Sequence, residues 1–172
     1  MSAGTRISLE RGMEIGMDVY WLLHPHCEII SLAGSLRRER PTIADVEIVC
    51  VPKPYEASPL FASGLATVVH QWPKIRGELP CRYTQRMLPE GIPLDLFMVQ
   101  ADGYGLQLAI RTGSADWSRH VLARTWVRAG YRSEGGLLRR QDGSVVPCRT
   151  EGELFDRIGL KWVHPREREV TP

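Results

Sequence analysis

The chain has 172 residues, enough for one ordinary domain or two small lobes with a real core, and 43% hydrophobic with 24% charged residues marks a soluble globular protein. Lys and Arg number 22 against 20 Asp and Glu, a net charge of +2, so the totals exclude a strongly basic nucleic-acid coat and an acidic tail. Arg6, Glu10, Arg11, Glu14 and Asp18 interrupt the first apolar stretch, which excludes a signal-peptide core, and no window reaches the roughly 18 uncharged apolar residues of a membrane span. The four cysteines, Cys27, Cys50, Cys81 and Cys148, form no C-x-x-C pair. This excludes a zinc ribbon and a thioredoxin-type motif and predicts reduced, mostly buried thiols in a cytoplasmic protein. His24-Pro25-His26-Cys27 reads as a helix-to-strand turn.

Met13, Met17, Tyr20 and Trp21 recur at helical spacing and predict a first helix over 8–23, stopped by His24-Pro25. Residues 27–33 and 45–51 read as strands, the first ending at Gly34-Ser35 and the second closed by Pro52. Leu60, Phe61, Leu65, Val68 and Val69 predict a second helix over 60–72, with a turn at Gly77-Glu78. Residues 81–88 and 92–99 form an antiparallel pair around Pro89-Glu90-Gly91. Three to four strands carrying two helices on one face thus make a first lobe, residues 1–100. Residues 101–172 read as a smaller α/β lobe: helices near 103–111 and 115–129, short strands over 131–146 turned at Asp142-Gly143, and a last helix over 150–159 with Thr150 and Glu153 as a capping box. The fold class is α+β.

Charge is unevenly spread between these lobes. Residues 111–140 hold Arg111, Arg119, Arg124, Arg128, Arg132, Arg139 and Arg140 against only Asp116 and Glu134, a basic stretch suited to a polyanion. Arginine outnumbers lysine throughout, which favours planar, bidentate contacts to phosphate. His120, Arg124 and Arg128 share one helical face.

Acid-x-acid pairs occur at Asp45/Glu47, Glu151/Glu153 and Glu167/Glu169, a number close to chance, so spacing alone decides nothing. Asp45/Glu47 differs in lying in an otherwise uncharged, β-branched strand, where alternation sends both carboxylates to one face with Cα atoms about 6.6 Å apart. Such a pair can converge on two divalent ions about 3.5–4 Å apart, with Asp95 in a neighbouring strand as the third ligand. Hard oxygen donors select Mg²⁺ or Mn²⁺. Gly34-Ser35 offers a bend without a Cβ and a hydroxyl donor for triphosphate oxygens, beside Arg37 and Arg38.

Gly34-Ser35-Leu36-Arg37-Arg38 followed by Asp45-Val46-Glu47 resembles the nucleotidyltransferase signature of the family X DNA polymerases, the group of DNA polymerase beta. Asp95, the Thr112-Gly113-Ser114 turn leading to Trp117, and Phe155-Asp156 through Trp162 to Pro165 extend the resemblance over residues 12–168. The resemblance implies a nucleotidyltransferase palm over 1–100, a mixed sheet with two helices on one face, and a nascent-base-pair lobe over 101–172. It further implies that Asp45 and Glu47 bind two Mg²⁺ or Mn²⁺ ions, and that Asp95 binds the catalytic ion and helps deprotonate a primer 3′-hydroxyl. Gly34, Ser35 and Arg38 would hold the triphosphate, Thr112, Gly113, Trp117 and Ser118 the sugar and base, and Arg111, Arg119, Arg124 and Arg128 the DNA. The implied partners are nucleoside triphosphates and gapped or nicked DNA, met by a monomer in repair, with no membrane.

Three departures bear on these roles. Glu47 stands where the polymerases usually carry Asp, Ile110-Arg111 replaces an aromatic pair at the sugar gate, and Leu122 occupies a position often held by a template-contacting arginine. The residues ahead of Gly34 are too few for the family's lyase domain or its helix-hairpin-helix clamp, so neither is expected. Leu88 to Ile92 reads as a hairpin turn. Two rival readings are transfer of a nucleotide to RNA, protein or a small molecule, and a catalytically silent DNA-binding module.

Overall fold

The computed structural model describes residues 5–54 and 64–170. The chain divides into two compact units, Met1–Met98 and Val99–Pro172. Among the described residues no helix is long and apolar enough to cross a membrane.

The first unit opens with β1 (Ile7–Ser8) and α1 (Leu9–Leu23). Ser8 caps α1, its hydroxyl accepting from the Arg11 amide at 3.2 Å. A 3-10 turn at His24–His26 leads into β2 (Cys27–Leu32), then α2 (Gly34–Arg37), β3 (Thr42–Ile43) and β4 (Val46–Pro52). Next come α3 (Gly64–His70), β5 (Lys74–Arg76), β6 (Tyr83–Met87) and β7 (Pro93–Met98). Five strands form one mixed sheet in the order β2-β4-β7-β6-β5, with β4 and β7 parallel and the other neighbours antiparallel. β1 and β3 pair separately. The sheet is larger than the three to four strands expected, because β5, exposed at the edge, carries too weak an apolar pattern to read as a strand. The hairpin between β6 and β7 closes as expected, Leu88 N–H donating to Ile92 O and Gly91 N–H to Leu88 O, both at 3.0 Å.

Alternation along the strands sorts the two faces of this sheet. Ile30, Val46, Ile48, Cys50, Leu94, Leu96 and Met98 join Ile15, Val19 and Leu23 of α1 and Leu65 and Val69 of α3 in one buried core. Both helices therefore serve the same core, and burial of each such side chain contributes about 1.5–3 kcal/mol. The buried stripe of α1 is not the one its large residues indicate. Gly12, Ile15, Gly16, Val19 and Leu23 are buried, Met13 and Met17 are half-buried, and Trp21 is 60% exposed. The glycines are the cause: a Cβ on Gly12 would come within 2.8 Å of Ile43 and one on Gly16 within 2.9 Å of Leu36. Of the expected second helix, Leu60 and Phe61 lie outside the described residues.

The second unit begins with a 3-10 turn at Ala101–Gly103 and α4 (Tyr104–Thr112). Then α5 (Ala115–Trp117), a π-helical stretch at Ser118–Ala123 and α6 (Arg124–Arg128) follow without a break. Strands β8 (Tyr131–Glu134), β9 (Leu137–Arg140) and β10 (Val145–Val146) make an antiparallel sheet, and α7 (Glu151–Ile158) closes the unit. The Thr150 hydroxyl caps α7 by accepting from Glu153 N–H at 3.1 Å, while the Glu153 carboxylate accepts from Arg149 N–H at 2.6 Å, one residue before the expected reciprocal partner. Gly159, at φ 68°, ends the helix in the left-handed region.

Leu106, Trp117, Leu122, Trp126, Leu138, Val146, Leu154 and Phe155 are among the residues of this unit's core. Beside them lies a buried ion pair absent from the sequence reading. Arg168, fully buried, meets Glu151 through both terminal guanidinium nitrogens, the Nη2–Oε2 contact being 3.3 Å. Its charge sits within 5.1–5.6 Å of the ring centres of Trp117, Phe155 and Trp162. Its carbonyl accepts from Ser114 N–H at 2.9 Å, tying the carboxy-terminal segment to the turn before α5.

Candidate functional site

Parallel pairing of β4 with β7 sets Glu47 directly across from Asp95. Val46, Ile48, Leu94 and Leu96 face the helices, so alternation turns Glu47 and Asp95 to the opposite face. Asp45 immediately precedes β4 rather than lying within it. All three acidic residues are half-buried. Burial pushes the Asp45 carboxyl above its ordinary value and the charge of Asp95 pushes it further, while Arg38 and Arg6 oppose the rise. Two of the three carboxylates are thus neighbours in register, and the third feels one of them electrostatically.

The Glu47 carboxylate reaches back to Gly34. A Cβ there would lie 1.6 Å from Glu47 Oε2, and Gly34 has φ +58°. The positive φ favours glycine at the start of α2, and a Cβ there would displace the Glu47 carboxylate. The expected bend is a one-turn helix, with Arg38 N–H donating to Gly34 O at 3.1 Å. Ser35 Oγ is buried with no hydrogen-bond partner among the described residues, a state that costs about 1–3 kcal/mol. Arg38 is half-buried, and its charge acts on Asp45.

The three carboxylates supply the hard oxygen donors that Mg²⁺ or Mn²⁺ takes, and a cation would offset the repulsion that Asp45 carries. Fit in chemistry is not matched by closure in space. Among the described residues, no three His, Cys, Asp or Glu side chains are gathered closely enough to hold a metal ion. Glu47 is turned onto Gly34, and Asp95 Oδ1 accepts from the Tyr83 hydroxyl at 2.7 Å. Tyr83, a residue that sequence reasoning passed over, carries no motif signal; only its strand register could have pointed to it.

In the second unit the residues expected at a sugar and base pocket are buried or half-buried. Thr112 and Trp117 are 0% and 3% exposed. Gly113 admits the indole closely, since a Cβ there would lie 2.3 Å from Trp117 Cε3. Ser118 Oγ donates to Ile110 O at 2.8 Å. Leu122 is fully buried in the same core, so that position is a packing position. Arg119, Arg124 and Arg128 are exposed, as are Arg132 and Arg140, whereas Arg111 and Arg139 are half-buried with Nε inside. The exposed cations make a surface suited to phosphates.

Residues 107–169 match the family model of the DNA polymerase beta thumb. The likeness to the polymerase beta family therefore holds for the second unit from within α4 to just past Arg168, and it takes in the arginine surface, the Trp117 turn and the Glu151–Arg168 pair. Asp45, Glu47 and Asp95 lie outside the thumb match. No curated protein matches the chain.

Proposed function

We propose that this chain is a divalent-metal-dependent nucleotidyltransferase of polymerase beta type, adding nucleotides from triphosphates to a DNA 3′-hydroxyl at a gap, nick or end. The observation that carries the reading is the pairing of Glu47 with Asp95 on the face away from the helices, with Glu47 seated on Gly34 and Asp45 within reach of Asp95's charge. The thumb match supports a DNA substrate over RNA, protein or a small molecule.

In this reading Asp45, Glu47 and Asp95 hold two Mg²⁺ or Mn²⁺ ions, which when bound neutralise charge on the phosphates and favour ionisation of the attacking hydroxyl. Asp95 orients the primer 3′-hydroxyl and accepts its proton. Ser35 Oγ, buried and without a partner among the described residues, donates to a triphosphate oxygen, and Arg38 balances the charge of the β- and γ-phosphates. Arg119, Arg124 and Arg128 track the DNA backbone. Primer extension on a gapped duplex with Mg²⁺ or Mn²⁺ tests this: wild type extends, and Asp45→Ala and Asp95→Ala do not. Unchanged extension in either variant refutes the assignment.

The ungathered carboxylates favour one second reading, a DNA-binding module without turnover. It predicts salt-sensitive DNA binding that survives Asp45→Ala and no incorporation by wild type, so any metal-dependent incorporation eliminates it.

A further inference from the structure

Across the antiparallel β6–β7 pair, Asp95 faces Gln85 and Tyr83 faces Phe97. Residues two apart share a face, so Tyr83 is the diagonal neighbour of Asp95, a separation that a long side chain spans. Its hydroxyl donates to Asp95 Oδ1 at 2.7 Å. Its ring stacks on Phe97 with centroids 5.0 Å apart and planes 25° apart, and its carbonyl accepts from Cys81 Sγ at 3.0 Å. The donor is therefore held at both ring and backbone.

Asp95 has reason to need such a tether. Glu47 stands directly across from it, and its charge reaches Asp45. Like charges at this spacing drive side chains apart, and a carboxylate free to turn would leave the productive geometry. A neutral phenol restrains the carboxylate without introducing a second cation. Because the donor occupies Oδ1, Oδ2 is the oxygen left for the reacting hydroxyl.

We propose that Tyr83 is the positioning residue for Asp95, fixing which carboxylate oxygen the site presents; this rests on the nucleotidyl-transfer reading above. Tyr83→Phe deletes the hydroxyl and keeps the stacked ring. The account expects kcat for extension of a gapped duplex to fall about 10- to 100-fold, the range for loss of an outer hydrogen-bond partner. The KM for the nucleotide stays unchanged, which a general loosening of the fold would not produce.

A second readout needs no turnover. Mn²⁺ binding to the protein alone, followed by electron paramagnetic resonance, weakens in Tyr83→Phe but weakens no further when Tyr83→Phe is added to Asp95→Asn. An active wild type with Tyr83→Phe equal to it in kcat overturns the positioning role and leaves nucleotidyl transfer standing. An equal Mn²⁺ loss in the Asp95→Asn background also overturns it, because the hydroxyl would then act through another group. A wild type that extends no primer overturns both readings together.

Discussion

A glycine whose missing side chain makes room for a carboxylate is a sharper constraint than a glycine in a turn. Gly34→Ala would place a methyl 1.6 Å from Glu47 Oε2 at φ +58°. The backbone alone would cost about 1–2 kcal/mol. We expect the variant to fold with modestly lower stability and to lose primer extension by at least about a hundredfold, because Glu47 must swing off its seat and a misplaced ligand is costly. Steady-state extension beside a thermal melt separates the two effects. A different residue sets an alkaline limit on the fold. Burial pushes the Cys148 thiol up to about 11, from a usual 9.0. In the unfolded chain the thiol ionises first, so between those values the unfolded state binds fewer protons and stability falls as pH rises. Its contribution is fully present below pH 9 and is lost as pH rises through 11. Urea unfolding at stepped pH should decline less steeply in Cys148→Ala than in wild type, although the variant starts lower for want of packing.

The elements show how far sequence patterns reach. The hairpin, the capped last helix and the helical stretch through 115–128 follow from turn chemistry and 3.6-residue periodicity, which are local, and the structure contains all three. The face of α1 does not, because periodicity ranks Met13, Met17 and Trp21 above Gly12 and Gly16, while close approach to Ile43 and Leu36 selects the glycines. The buried Glu151–Arg168 pair escaped for a related reason: its partners are 17 residues apart, and each alone reads as a solvated charge. Glu151→Ala should destabilise the chain by about 3–5 kcal/mol by leaving the guanidinium buried without its counter-ion. Glu151→Leu combined with Arg168→Met should cost less than either single change, a double-mutant cycle that chemical denaturation can close. Equal additive losses would mean that the pair is not coupled.

At the scale of the whole molecule, charge and chemistry are divided between the units. The first carries Asp45, Glu47, Asp95 and the Gly34 seat, and the second carries the exposed arginines within the thumb match. Arg124→Ala and Arg128→Ala should each weaken binding to duplexes of any sequence and lower the dependence of log affinity on log salt by about 0.9, the release expected for one phosphate contact. Fluorescence anisotropy across a salt series measures this. The signature residues and strand alternation singled out Asp45, Glu47 and Asp95 as a candidate site in the sequence. The Tyr83–Asp95 bond and the turn of Glu47 onto Gly34 were not legible, because they depend on contacts no linear motif encodes. The most direct measurement is single-turnover insertion of one nucleotide into a gapped duplex at low ionic strength with Mg²⁺ or Mn²⁺, comparing wild type with Asp95→Ala. The account predicts insertion by wild type alone; insertion by both proteins, or by neither, contradicts it.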